Sequence, residues 1–163
     1  MAIEKEQFEQ AGLVFDKERV LTYSKLVCPL ECKYCFVENL NREQQREVSY
    51  LSSQQIELLQ QLPQEVQLIM LGCDTEFFQS REDALDILNR LVDLKRDVSV
   101  VTKLAIPMPY THELRDIATR MEANGNLFSL SISLPCLESS AKWEPAVPSP
   151  EKRIASLKDA FSE

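Results

Sequence analysis

A chain of 163 residues is long enough for one domain with a single core, and its 44% hydrophobic and 27% charged content argues against general disorder. Acidic residues outnumber basic ones by 26 to 18, and a net charge of −8 does not support a broad nucleic-acid footprint, which needs clustered Lys and Arg. No run of 18 apolar residues occurs, so no membrane-spanning helix is expected, and Met1 to Glu6 lacks the basic-then-apolar pattern of a signal peptide.

The first strand is expected over residues 20–27, running into a loop that carries three of the five cysteines. Ile56, Leu59 and Leu62 follow at helical spacing, and the mostly apolar run 66–71 reads as a strand buried in a parallel sheet. Leu85, Leu88, Leu91 and Val92 predict a second helix, and residues 98–102 a third strand. Leu114, Ile117, Ala118 and Met121 predict another helix, stopped by Asn124 and Gly125. The fourth strand, 128–134, alternates: Phe128, Leu130, Ile132 and Leu134 on one side, Ser129, Ser131 and Ser133 on the other. A loop with Trp143, Pro145 and Pro148 leads to a last helix, opened by Ser149, Pro150 and Glu151 and striped by Ile154, Leu157 and Phe161.

Strand and helix alternate four times, which predicts an α/β fold with a parallel sheet. Residues 1–19 are read as an N-terminal extension and 20–163 as the core domain. In such folds the chemistry gathers beyond the C-terminal ends of the strands. The cysteine loop and the other polar motifs of the chain each fall at one of those ends.

Cys28, Cys32 and Cys35 have the spacing C-x3-C-x2-C. Three thiolates in one short loop can ligate three irons of a cubane cluster, and with no fourth cysteine beside them the last iron stays open to a small chelating molecule. The odd cysteine count and this crowding suit a reducing, cytoplasmic setting better than a disulfide framework. Two other readings stand beside this one: a zinc site completed by His112, and buried thiols without a ligand. The polar neighbours Glu31 and Lys33 speak against the second. Cys73 and Cys136 are read as inert buried thiols, with a relay role as the other option.

The cysteine spacing, with the aromatic Tyr34 before the last cysteine, resembles the signature of radical S-adenosylmethionine (SAM) enzymes. Further motifs are similar to the spore photoproduct lyase-like branch. The stretch from Gly72 to Glu82 is similar to T-D-P-Y-Q-P-x-E, with Thr75, Glu76, Phe78, Gln79 and Glu82 matching in kind and Phe77 and Ser80 in place of the prolines. Val101, Thr102 and Lys103 are similar to an I-T-K strand end. Residues 143–153, from Trp143 to Arg153, are similar to L-E-P-x-x-P-S-P-x-x-R. In the serine strand Ser133 is kept, while Leu134 and Pro135 replace threonines.

The resemblance covers nearly the whole chain, and it implies a partial (β/α) barrel of about four units where a usual core has six. It implies a [4Fe–4S] cluster on Cys28, Cys32 and Cys35, with SAM chelated at the open iron and reductively cleaved to a 5′-deoxyadenosyl radical. That radical would abstract hydrogen from a substrate that the sequence does not name. Tyr34, Gly72, Thr75, Glu76, Lys103, Ser131, Ser133 and Arg153 are the implied cofactor-binding residues. A non-catalytic cluster module needing a partner is the alternative. The short barrel would leave the edge of the fourth predicted strand open to a partner protein or a second copy. The chain is then an excised or truncated domain, half of a split enzyme, or a short barrel that pairs with itself.

Overall fold

Gly12 lets the chain reverse from a short first helix into a hairpin. In the computed structural model, which describes residues 5–24, 27–37 and 51–161, helix α1 (Lys5–Gln10) is followed by β1 (Leu13–Asp16) and β2 (Arg19–Thr22), paired antiparallel. Lys17 takes a positive φ of 57° in the tight connection. Then come α2 (Ser53–Leu59), β3 (Leu68–Leu71), a 3-10 turn (Phe77–Gln79), α3 (Arg81–Val92), β4 (Asp97–Thr102) and α4 (Met108–Ala123). The chain ends in β5 (Phe128–Ile132), α5 (Ser140–Trp143) and α6 (Pro150–Phe161).

The sheet order is β1-β2-β3-β4-β5, parallel from β2 onward. The parallel α/β reading therefore stands, with an antiparallel strand added at one edge. That strand comes from residues read as an extension: Leu13 and Phe15 face the same side as Val20, and Leu13 is fully buried. Four residues, of which only Leu13 is fully buried, carry too little pattern to be separated from a loop by sequence.

Register divides the sheet into two faces. Val20, Ile69, Val98 and Phe128 stand side by side, as do Leu71, Val100 and Leu130, and these rows meet the helices in the core. Leu21, Met70, Ser99 and Ser129 form a row on the other face, with Val101 and Ser131 above them. Val101, Ser129 and Ser131 are exposed, so this face is the open one. β5 lies at the far edge, and among the described residues no strand pairs with its outer side.

The helices follow their apolar stripes. Ile56, Leu59 and Leu62 are buried, as are Leu88, Leu91 and Val92 on α3 and Leu114, Ile117 and Met121 on α4. Gly125, at φ 79°, closes α4, with Asn126 N–H donating to the Met121 carbonyl at 2.9 Å. Ser149 caps α6, its hydroxyl accepting from Lys152 N–H at 3.4 Å. The side chain of Phe161 lies outside the described residues.

α2 starts with a reciprocal cap that the apolar pattern does not reveal. Ser52 Oγ accepts from Gln55 N–H at 3.2 Å, and Gln55 Oε1 accepts from Ser52 N–H at 3.0 Å. The Gln55 amide then donates to the carbonyls of Ala11 and Tyr23, at 2.9 and 3.0 Å, binding α2 to the hairpin. Ser52→Ala is expected to cost about 1 kcal/mol of unfolding free energy, read from a urea titration.

Two strands end sooner than the sequence suggests. β2 stops at Thr22, and beyond it Ser24 N–H turns aside to both carboxylate oxygens of Asp74, at 2.9 Å each. Lys25 and Leu26 of the expected strand lie outside the described residues. β5 stops at Ile132, although Ser133 N–H still donates to the Thr102 carbonyl at 2.8 Å. Pro135 has no N–H with which to continue the ladder.

Candidate functional site

Three of the parallel strands deliver their ends to one place. At the end of β3, Gly72 holds a φ of 79°, and a Cβ there would stand 3.1 Å from the Val101 carbonyl oxygen. A side chain is therefore disfavoured twice, by conformation and by space. The loop that follows carries Asp74, Thr75 and Glu76, all buried.

Glu76 joins the ends of β3 and β4. Its Oε1 accepts from Thr102 Oγ1 at 2.7 Å and from Phe78 N–H at 3.1 Å, and its Oε2 accepts from Lys103 N–H at 2.9 Å. Burial pushes the carboxyl above its ordinary value, against the pull of those hydrogen bonds. With both oxygens engaged, Glu76 acts first as a brace between strand ends.

Beyond β4, the Lys103 ammonium donates to Ser133 Oγ at 3.0 Å, to Tyr34 Oη at 2.7 Å and to Glu144 Oε1 at 2.7 Å. It also lies 5.2 Å from the centre of the Tyr34 ring. The Tyr34 hydroxyl donates to the same Glu144 oxygen. Arg153 takes the other oxygen at 2.7 Å and donates to the Ser133 carbonyl at 2.6 Å. Glu144 and Arg153 are both fully desolvated at their side chains, whereas Lys103 is 20% exposed. Burial raises the Glu144 carboxyl, but hydrogen bonds from Lys103, Tyr34 and Arg153 outweigh it and hold the group below its ordinary value. Burial and the neighbouring carboxylate push the Tyr34 hydroxyl well up.

The strand ends and the cysteine loop enclose a cavity of about 170 Å³. Cys28, Cys32, Cys35 and Tyr34 line it from the cysteine loop, facing Gly72, Thr75, Glu76, Lys103 and Ser133 from the strand ends. The partly exposed Phe36 and Val101 form apolar wall. Burial raises the thiols of Cys28 and Cys32, the latter offset in part by the Lys103 charge.

Nine of the eleven residues singled out in the sequence thus share one cavity. Ser131 stands exposed on the open sheet face and Arg153 is buried behind the wall, so neither lines it. Nor is Arg153 the surface arginine a helix position in the first turn of α6 could suggest. Cys73 does line the cavity; its thiol donates to the Met70 carbonyl at 3.4 Å, and burial lifts it to about 11. Cys136 does not line it, and neither does His112, which is exposed on α4.

Sequence reasoning missed Glu144 and Thr102. Glu144 sat inside a quoted motif, but nothing local reveals that two cations converge on it from β4 and α6. Among the described residues no three His, Cys, Asp or Glu side chains converge on a point where a single ion would be held. A cubane is ligated at separate irons, so its thiolates need not converge in that way. No protein-family model, curated protein or solved structure matches the chain.

Proposed function

We propose that the chain is a radical SAM enzyme built on a partial (β/α) barrel, with a [4Fe–4S] cluster on Cys28, Cys32 and Cys35 and SAM bound against the strand ends. The observation that carries this reading is the shared cavity: three free thiols from one loop face polar groups from three consecutive parallel strands. The donor set suits the group, because thiolates are the usual ligands of iron–sulfur clusters and three of them leave an iron open. When bound, the cluster would supply the electron that cleaves SAM reductively.

The chain's own residues have separate tasks under this reading. The Ser133 hydroxyl accepts from Lys103, which leaves its own O–H to donate to an anionic group such as a carboxylate. The Thr75 hydroxyl accepts from the Gln79 amide at 3.1 Å, which leaves its own O–H to donate to a ligand. Gly72 keeps the wall clear of a side chain, and Phe36 and Val101 keep water from part of the space. Glu76 and Glu144 hold these groups in place from behind.

The test is anaerobic iron–sulfur reconstitution, followed by reduction and electron paramagnetic resonance with and without SAM. A reduced cluster signal that changes on adding SAM, and is lost in Cys32→Ala, is the expected result. A signal indifferent to SAM would instead mark a cluster module without SAM chemistry. Failure to take up iron and sulfide would overturn the reading.

A further inference from the structure

The cysteine loop is anchored unevenly. Its first half is tied to the body of the protein, for Leu30 is buried and the Cys28 thiol lies against backbone groups of Leu30 and Glu76. Its second half is held from outside. Lys33 N–H donates to the Trp143 carbonyl at 2.9 Å, and the Tyr34 hydroxyl donates to Glu144 Oε1, where the Lys103 ammonium also binds. Tyr34 is 44% exposed, so little apolar packing adds to these polar links.

We infer that Glu144 is a positioning residue, which holds the Cys32–Cys35 half of the loop closed on the strand ends through the Tyr34 hydroxyl. Glu144 divides its work: Oε2 belongs to the buried Arg153, and Oε1 to the loop and Lys103. The carboxylate is itself fixed by Arg153, which is tied to the Ser133 carbonyl at the end of β5. A rigid strand end thus sets where Cys32 and Cys35 stand. In iron-free protein this tether keeps the two thiols arranged for loading, and in loaded protein it slows loss of the cluster. The second consequence rests on the cluster reading, while the tether itself belongs to the chain without metal.

The variant that tests this is Tyr34→Phe, which deletes the hydroxyl and leaves the Glu144–Arg153 pair intact. Alkylation of each cysteine by iodoacetamide would be followed by mass spectrometry on iron-free, full-length protein at neutral pH. Cys35 is expected to react about tenfold faster than in the parent protein, the scale of losing one charge-assisted hydrogen bond, whereas Cys32 also loses its own hydrogen bond to the Tyr34 hydroxyl and is not the readout. Cys28 should change little, because its anchors lie elsewhere, and Cys73 serves as the internal reference with an unchanged melting temperature. Lys103→Met, which removes the other partner of Oε1 but leaves the Tyr34 hydroxyl, should accelerate Cys35 less.

An unchanged rate at Cys35 in Tyr34→Phe would overturn the inference. So would faster reaction of all the cysteines together, since that reports general loosening and no tether. Faster loss of iron to a chelator from reconstituted Tyr34→Phe would extend the inference to the loaded site. Because the alkylation is read without metal, it separates failure of the tether from failure of the cluster assignment.

Discussion

Glu144→Gln is expected to lower the unfolding free energy by about 3–5 kcal/mol, measured as a shift in the urea midpoint at constant slope. The reason lies with its partner. Arg153 is fully buried, its Nε has no hydrogen-bond partner among the described residues, and its ion pair with Glu144 balances the guanidinium charge. A glutamine keeps the shape but leaves that charge uncompensated in a desolvated place, which costs far more than an exposed ion pair gains. Lys103, at 20% exposure, can recover water and contributes less.

Two controls make the prediction specific. Adding Arg153→Met to Glu144→Gln should return part of the lost stability, because both halves of the buried pair are then gone. A double variant no more stable than the single one would show that the buried charge is not the cause. The pH dependence gives the second control. Glu144 has a folded-state value below its ordinary one, so its contribution is fully present above the usual carboxylate range and is lost as the pH falls through the lowered value. The parent protein should therefore lose this stability in acid, and Glu144→Gln should show a correspondingly shallower acid dependence.

Gly12→Ala is expected to cost about 2–4 kcal/mol, from left-handed strain plus a backbone collision. Gly12 has a φ of 79°, and an added Cβ would lie 2.5 Å from the Tyr23 carbonyl oxygen. That oxygen cannot retreat freely. It accepts from the Gln55 amide at 3.0 Å, and Tyr23 N–H is itself bonded to the Gly12 carbonyl at 2.8 Å. Gly125→Ala is the matched comparison, with the same φ of 79° and, among the described residues, nothing within 4 Å of the added carbon. It should cost only the conformational part, about 1–2 kcal/mol. Equal melting shifts for the two variants would rule out the contact at Gly12 as a contributor.

The site was legible in sequence to the extent that its chemistry is local. Cys28, Cys32 and Cys35 announce themselves by spacing, and Gly72, Thr75, Glu76, Lys103 and Ser133 could be singled out because they follow strands and resemble known strand-end motifs. All of these line the cavity. Arg153 and Ser131 also lay in motif-like positions, yet one is buried behind the wall and the other faces the open side of the sheet. Position beside a strand end does not say which way a long side chain turns, and in Arg153 the direction is set by Glu144 and the Ser133 carbonyl.

By itself the sequence determined the parallel α/β order, the apolar faces of the helices and the grouping of three thiols in one loop. These depend on periodicity and spacing within a few turns of chain, which burial of apolar surface enforces at every register. Only the tertiary structure decided that residues 13–16 add an antiparallel strand, that Glu76 braces two strand ends, and that one carboxylate at Glu144 serves Arg153, Lys103 and Tyr34 together. Those partners lie 9, 41 and 110 residues from Glu144 along the chain. A buried charge must be matched by whatever the fold brings beside it, and no local pattern encodes that meeting.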